Sequence, residues 1–346
     1  MRKTAANLLA AAALATSVAT VFAGTAAADP ATGVTPRAID IVGVGSDTTQ
    51  AVLNQLSTDY NASLTNPATP RLYSWDAIPA GTITTKTGAT AITRPNGSGA
   101  GITALNANTS ATVDFARSSR APQPTDPTTD DFVALAKDAV AWAAPAAGNA
   151  PANLTTQNLK DIYTCTVTNW TQINASLPNA TIKPFLPQTG SGTRSFFLTT
   201  IGGGTAVTPG ACVTSGTQEN QGSDPALADV NAVVPYSAAH YIGQVYFGKG
   251  SGADVQGPLT IRNVDGVAPV DTVNKTISSA FAATTYSRVV YNVFRDAEWT
   301  ATDTHGTALR AIFGKGGWIC TNGAADIKSF GFLPLSSFAC GSVTHS

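Results

Sequence analysis

Apolar and polar residues follow one another along the chain in patterns that predict strands leading into helices. In "AIDIVGVGSDTTQAVLNQLSTDYN", Ile39, Ile41 and Val42 indicate a strand, and a glycine turn separates it from a helix. The apolar positions at helical spacing are Val52, Leu53, Leu56 and Tyr60. Asp47 or Thr48 is predicted to be the N-cap of this helix, because short polar side chains satisfy free N–H groups there.

Similar units recur. "RLYSWDA" is predicted to be a strand, "RPNGSGAGITALNA" leads into a helix, "VDFARSSRAP" is a strand that ends in a polar turn, and "VVPYSAAHYIGQVYF" is a strand followed by a helix. "DDFVALAKDAVAWAAP" is predicted to be a helix that runs into a strand, with Asp130 and Asp131 at the start of the helix. Trp142 and Trp170 are interpreted as core residues. Strands that alternate with helices indicate an α/β protein with largely parallel or mixed sheets.

The middle of the chain adds two predicted helices. "TTQNLKDIYTCTVTNW" contains a short one. In "PQTGSGTRSFF" and the residues after it, Phe196, Phe197 and Ile201 fall on one helical face, and Gly202 should end the helix. Two glycines and several hydroxyl or amide groups stand directly before this helix, so the junction is rich in hydrogen-bond donors and low in bulk.

Composition narrows the possible functions. Charged residues make up 12% of the 346 residues, about half of the roughly 25% that is usual. The formal net charge is −1. The chain has no basic block, so binding to nucleic acid is not expected.

The first residues read as an export signal. Arg2 and Lys3 precede a small, apolar run over residues 5–23, and "TAAADP" offers a cleavage site after Ala28. Residues 1–28 are therefore predicted to be a signal peptide. No cysteine precedes Cys165, so no lipid anchor is expected, and the mature protein should be periplasmic or secreted.

The four cysteines are Cys165, Cys212, Cys320 and Cys340. In an exported protein an even count predicts disulfides, and three pairings are possible. Cys165–Cys212 and Cys320–Cys340 are favoured, because each closes a loop within one region of the chain. The spacings lack the close cysteine pairs of zinc sites, so no metal site is expected.

Three turns share the same chemistry. They are "GVGSDTTQ" (43–50), "NGSGAG" (96–101) and "TGSGTR" (189–194), each at a predicted helix N-terminus. Glycine lets the backbone approach a ligand, and the first N–H groups of a helix lack partners within the helix and lie at its positive end. Phosphate, sulfate or carboxylate would be favoured there. Each turn alone is more simply interpreted as a helix cap, and only the repetition indicates a shared anion site.

These segments resemble the phosphate-binding proteins of phosphate ABC transporters, the PstS type within the type II periplasmic binding proteins. "GSGT" at 190–193 followed by Phe196 resembles the central anion-binding turn of that family. "NGSGAGI", "VDFARSS", "LKDIYTCTVTNW" and "SFGFLPL" resemble further family segments, in the family's order, across roughly residues 38–337.

The resemblance implies two α/β domains joined by crossover strands, with the ligand bound in the cleft between them. The predicted domains are residues 38–138 with 290–346, and residues 139–289. The residues predicted to bind the ligand by this resemblance are Asp47, Thr48, Ser98, Ser191, Gly192 and Thr193.

The chain departs from the family pattern at two positions. Pro187 stands where the family usually has an arginine. Ser119, which is also predicted to bind the ligand, stands where the family has an aspartate that accepts the proton of hydrogen phosphate and so rejects sulfate. Our hypothesis is that the charge has been relocated. Arg194, Arg117 or Arg94 would supply the guanidinium clamp, and Asp47 would be the proton acceptor.

The sequence therefore predicts an exported binding protein, not an enzyme, that captures an oxyanion, most simply inorganic phosphate. It predicts no cofactor, a monomer, and an ABC permease in the membrane as partner. Two alternatives stay open: a secreted phosphatase-like enzyme, and a surface interaction protein that keeps the fold without the ligand.

Overall fold

The computed structural model describes residues 29–31 and 33–345. The predicted signal peptide, residues 1–28, lies outside the described residues. Within the described part of the chain, helices and strands alternate along much of the sequence.

The strands are β1 (Ile41–Gly45), β2 (Leu72–Ser74), β3 (Thr82–Ile83), β4 (Ile92–Thr93), β5 (Phe115–Ser118), β6 (Asp130–Pro145), β7 (Asn153–Leu154), β8 (Lys183–Pro187), β9 (Thr214–Thr217), β10 (Ala232–Ser237), β11 (Leu259–Val264), β12 (Val270–Asp271), β13 (Thr276–Ile277), β14 (Ser287–Arg295), β15 (Leu333–Pro334) and β16 (Val343–His345). The helices are α1 (Gln50–Ser63), α2 (Ser98–Ala107), α3 (Thr156–Tyr163), α4 (Gly192–Ile201), α5 (Ala238–Phe247), α6 (Ser279–Ala282), α7 (Asp296–Trp299), α8 (Thr304–Phe313), α9 (Trp318–Asn322) and α10 (Ala324–Ser329).

The main sheet has the strand order β2-β1-β5-β14-β6-β10-β8-β9. β1 pairs in parallel with β2 and β5 at one end, and β8 pairs in parallel with β9 and β10 at the other. We call the part of the protein around β1, β2 and β5 the first lobe, and the part around β8, β9 and β10 the second lobe. This mixed α/β sheet agrees with the predicted fold class.

β6 links the two lobes. Its residues 130–139 pair with β14, and its residues 140–145 pair with β10 and β11. The sheet of the first lobe thus continues into that of the second through one strand. The predicted domain boundaries at 138/139 and 289/290 stay predictions.

β6 corrects one element prediction. The segment that was expected to be a helix running into a strand is a single strand of 16 residues, with Asp130 and Asp131 at its start. All its residues but Lys137 are buried. A strand that is covered on both faces has a continuous apolar sequence without alternation. Here tertiary packing on both faces overrides the helix propensity of the alanines.

The other predicted units are confirmed. The four apolar positions of α1 are buried, and α4 buries Phe197 and Ile201 and ends before Gly202. Trp142 and Trp170 are fully buried in the core. Both favoured disulfides are present, with Cα–Cα distances of 5.9 Å for Cys165–Cys212 and 5.7 Å for Cys320–Cys340.

The predicted N-cap of α1 is wrong. The helix begins at Gln50, and Thr49 before it makes no capping hydrogen bond through its side chain. The side chains of Asp47 and Thr48 bond instead to residues of the second lobe. Short polar side chains serve both as helix caps and as contacts between distant segments, so the local pattern does not distinguish the two roles.

In the residues that the structure describes, we find no helix with the length and apolar character needed to span a membrane.

Candidate functional site

Hydroxyl side chains from distant segments meet where the two lobes touch, a contact that we call the seam. The hydroxyl cluster consists of Thr48, Ser98, Ser119, Ser191 and Thr193, and each of these residues is at most 1% exposed. The Thr48 and Thr193 hydroxyl oxygens are 3.2 Å apart, as are those of Ser98 and Ser119. The three glycine-hydroxyl turns of the sequence therefore converge.

Three helices begin at the seam. α1 and α2 come from the first lobe and α4 from the second, and no side chain caps α1 or α2. The side chain of Ser191 caps α4 by accepting a hydrogen bond from the backbone N–H of Arg194 at 3.0 Å. The positive ends of these helices favour a negative charge near the hydroxyl cluster.

A chain of polar contacts holds the lobes together. The backbone N–H of Gly99 donates to the carbonyl of Gly190 at 3.0 Å. Asn96 accepts from Gln188 at 2.7 Å and donates to Gln218 at 2.9 Å. This places the second turn of the first lobe directly against the third turn, in the second lobe.

Gly192 is the point of closest approach in the seam. A Cβ atom at this position would lie 2.3 Å from the Ser98 hydroxyl and 2.4 Å from the Ser119 hydroxyl. Both distances are far inside van der Waals contact. Gly192 therefore lets the N-terminus of α4 lie against the two serines of the first lobe.

Arg288 brings a positive charge to the cluster. Its guanidinium donates to the Thr193 hydroxyl at 2.9 Å and to the carboxylate of Asp138 at 2.8 and 3.0 Å. It also packs over the ring of Phe196, 5.4 Å from the ring centre. Its Nη1 atom is buried and has no hydrogen-bond partner among the described residues.

Asp138 lies in β6 and is fully buried between Arg288 and the first residues of α5. It accepts hydrogen bonds from the Ser237 hydroxyl at 2.9 Å and from the backbone N–H of Ala239 at 3.0 Å. The Nη2 atom of Arg288 donates both to this carboxylate and to the hydroxyl of Thr193, so Asp138 holds the guanidinium against the hydroxyl cluster.

The three arginines considered from the sequence have other partners. Arg94 makes two hydrogen bonds to Asp29, at 2.6 and 2.7 Å. Arg117 is fully buried and donates to the carbonyl of Ser46 at 2.9 Å. Arg194 donates to the carbonyl of Pro187 at 2.9 Å. Arg117 and Arg194 thereby brace the first and third turns, and their contact with a ligand stays a prediction.

Four ionisable groups lie beside the hydroxyl cluster: Asp47, Glu219, His240 and Asp254. Burial raises the pKa of Asp47 to about 8, and the carboxylates of Asp254 and Glu219 add to the increase. Burial alone would lower the pKa of His240, but the Asp254 carboxylate, 2.6 Å from its Nε2 atom, outweighs it and raises the pKa to about 9.

These two groups predict that stability falls with rising pH. The pKa of Asp47 rises from 3.8 to about 8 and that of His240 from 6.5 to about 9, so folding takes up protons. The contribution of each group is complete below its unfolded pKa and is lost as pH approaches its folded pKa. Between pH 6.5 and 8.5 we expect a loss of up to about 1.4 kcal/mol per pH unit for each group.

Urea unfolding of the wild type and of Asp47→Asn at pH 6.5, 7.5 and 8.5 measures this slope. The variant should lose less stability over the range, because asparagine has no proton to release. Asp229→Asn is the control, since Lys183 lowers the pKa of Asp229 and its carboxylate stays ionised throughout. Equal slopes in Asp47→Asn and the wild type would contradict the prediction.

Sequence reasoning missed several residues of the seam. Asp138 stands within the apolar segment "ALAKDAVAWAA", and Arg288 stands at the start of the strand segment "SRVVYNVF". A charge inside an apolar strand is a signal for a buried ion pair, and it could have been used. Glu219 lies in the polar run "TQEN", which looks like any solvated loop, so nothing in the sequence singles it out.

Comparison with known proteins places the chain in a family. Residues 26–298 match the family model described as a PBP superfamily domain. No curated protein sequence matches the chain.

Solved structures are similar over most of the chain. An ABC-type phosphate transport receptor from Vibrio cholerae has 19% identity and a TM-score of 0.56, covering 85% of this chain and 99% of its own. A putative phosphate ABC transporter substrate-binding protein with bound phosphate from Clostridium perfringens has 17% identity and a TM-score of 0.57, covering 86% and 100%. A human phosphate-binding apolipoprotein has 16% identity and a TM-score of 0.53, covering 86% and 92%.

The fold and the superfamily indicated by the motifs are therefore confirmed. The chain belongs to the PBP superfamily and has the type II periplasmic binding protein fold.

Proposed function

We propose that this protein is an exported solute-binding protein that captures an oxyanion, inorganic phosphate in the first instance, between its two lobes for uptake by an ABC permease. The observation that carries the proposal is the hydroxyl cluster, whose five buried hydroxyls come from both lobes and meet at three helix N-termini and one guanidinium. Similar folds are described as phosphate transport receptors. No reaction is part of this proposal.

The proposed contacts follow the geometry. Thr48, Ser98, Ser119 and Thr193 donate hydrogen bonds from their hydroxyls, and Gly192 at the N-terminus of α4 contributes its backbone N–H group. Arg288 supplies the positive charge that we first assigned to a neighbouring arginine. Asp47, Arg117 and Arg194 hold the turns around the anion. Donors that are fixed before binding make each charge-assisted hydrogen bond stronger than in water.

Removing one hydroxyl tests the proposal. Titration calorimetry of the wild type with inorganic phosphate at pH 7 should show one site. Thr193→Val keeps the shape of the side chain and removes a donor from the cluster, so binding should weaken about 10- to 100-fold, the effect of losing one hydrogen bond to a charged group. Thr200→Val on the same helix is the matched control, because its hydroxyl donates to the backbone carbonyl of Phe196 within α4.

Two outcomes would favour the alternatives. Turnover of a chromogenic phosphate monoester by the wild type would indicate a phosphatase-like enzyme. If the wild type binds neither phosphate nor sulfate, and native mass spectrometry detects no bound anion, the result would indicate an interaction protein that keeps only the fold. The permease partner, the monomeric state and export without a lipid anchor belong to the same proposal.

A further inference from the structure

One carboxylate of the protein already lies among the donors of the proposed site. Glu219 is 1% exposed and follows β9 in the second lobe. Its Oε1 atom accepts a hydrogen bond from the Thr48 hydroxyl at 2.5 Å and another from the Thr193 hydroxyl at 3.1 Å. A hydroxyl from each lobe therefore donates to the same carboxylate oxygen.

The partners of the two threonines explain why their protons point to Glu219. Arg288 donates to the Thr193 oxygen at 2.9 Å, and the side-chain amide of Asn220 donates to the Thr48 oxygen at 3.2 Å. Each hydroxyl has a single proton, which it can give to one acceptor at a time. While both protons are given to Glu219, neither threonine can donate to a solute.

The charges around Glu219 also disfavour the binding of an anion while its carboxylate is in place. Arg288 is already paired with Asp138, so it is not an uncompensated cation. The Oε2 atom of Glu219 is buried with no hydrogen-bond partner among the described residues. A fully ionised solute placed beside this carboxylate would be repelled at short range.

We propose that Glu219 is a tethered anion that occupies part of the oxyanion site, and that a solute binds by displacing its carboxylate from Thr48 and Thr193. The inference rests on the proposed function. Because the carboxylate belongs to the same chain, it competes at a high effective concentration that dilution cannot lower. It stabilises the contact between the lobes when no solute is bound. A solute binds only if its own contacts with the two threonines are more favourable than those of the Glu219 carboxylate.

Glu219→Gln tests the inference. Glutamine has the same shape, but it accepts from the threonines without charge and does not repel an anion. Titration calorimetry at pH 7 should show that the variant binds sulfate and inorganic phosphate at least about 10-fold more tightly than the wild type. Asp161→Asn is the matched control: it removes one negative charge from α3 of the second lobe, outside the seam, and should leave both affinities within about twofold.

A second variant tests the inference even if Glu219→Gln does not fold. Glu219→Asp keeps the charge and shortens the side chain, so the carboxylate cannot hold both threonines in the observed geometry. Its affinity for both anions should lie between those of the wild type and Glu219→Gln. Thermal unfolding establishes that each variant is folded before it is titrated.

The remaining outcomes overturn the inference in distinguishable ways. If phosphate and sulfate bind to the wild type, Glu219→Gln and Glu219→Asp with equal affinity, Glu219 is not a competitor, while the proposed function stands. If Glu219→Gln binds sulfate more tightly and phosphate more weakly, Glu219 accepts a proton from bound hydrogen phosphate and is a ligand contact. If no protein binds either anion, the proposed function and the inference fail together.

Discussion

Gly192→Ala should abolish detectable binding of inorganic phosphate while the chain still folds. The added methyl group would lie 2.3 Å from the Ser98 hydroxyl and 2.4 Å from the Ser119 hydroxyl. Both serines are fully buried, so they have little room to move away. The N-terminus of α4 would then be held off the first lobe, and the donors of the two lobes could not surround one anion. Loss of preorganised geometry of this kind reduces affinity about 100-fold or more.

The matched control for this variant lies in the same seam. A Cβ atom on Gly99 would meet nothing closer than 3.6 Å, which is ordinary contact, and alanine is the better helix former in α2. Gly99→Ala should therefore bind phosphate as the wild type does. Titration calorimetry of the two variants side by side measures the difference. Wild-type affinity in folded Gly192→Ala would show that close approach at this point is not needed.

Asp138→Ala should produce the largest loss of stability, about 3–5 kcal/mol in the free energy of unfolding. Arg288 would keep its charge in a site where its side chain is 2% exposed, without the partner that balances it. An uncompensated buried charge costs about this much. The hydroxyl of Ser237 and the backbone N–H of Ala239 would also lose their acceptor.

Urea unfolding at pH 7 measures this loss, and two further variants interpret it. Asp229→Ala breaks the exposed ion pair with Lys183, whose side chain is 52% exposed, and should cost less than about 1 kcal/mol. The double variant Asp138→Leu/Arg288→Met replaces the buried pair by apolar groups and should be more stable than Asp138→Ala. If Asp138→Ala and Asp229→Ala were equally mild, the buried pair would not stabilise the fold.

Local patterns predicted most of the elements around the site. The helices after the three turns, the strand before α1 and the strand before α5 all occur where the periodicity placed them. This works because glycine turns, helix periodicity and burial on one face are properties of short segments. The pattern failed at β6, where an alanine-rich segment is compatible with a helix and only its packing on both faces makes it a strand.

Local patterns did not single out Arg288, the guanidinium that donates to the hydroxyl cluster. Arg94, Arg117 and Arg194 are close in sequence to the turns, yet each is bound to the carbonyl or carboxylate groups of its own lobe. Arg288 is 95 residues away from Thr193 in sequence and donates to it. Proximity in sequence to the turns could therefore not point to Arg288, and ligand contact by Arg117 or Arg194 stays a prediction.

The sequence by itself determined that the chain has donor-rich turns at helix starts and a resemblance to oxyanion-binding proteins, and it favoured the pairing of the cysteines that the structure shows. Only the tertiary structure decided that Thr48, Ser98, Ser119 and Thr193 share one seam, that Arg288 is the cation beside them, and that Glu219 lies among their hydroxyls. The physical reason is that turn and helix preferences act over a few residues, whereas the field and the hydrogen-bond partners at a buried point are set by groups that long-range strand pairing brings together.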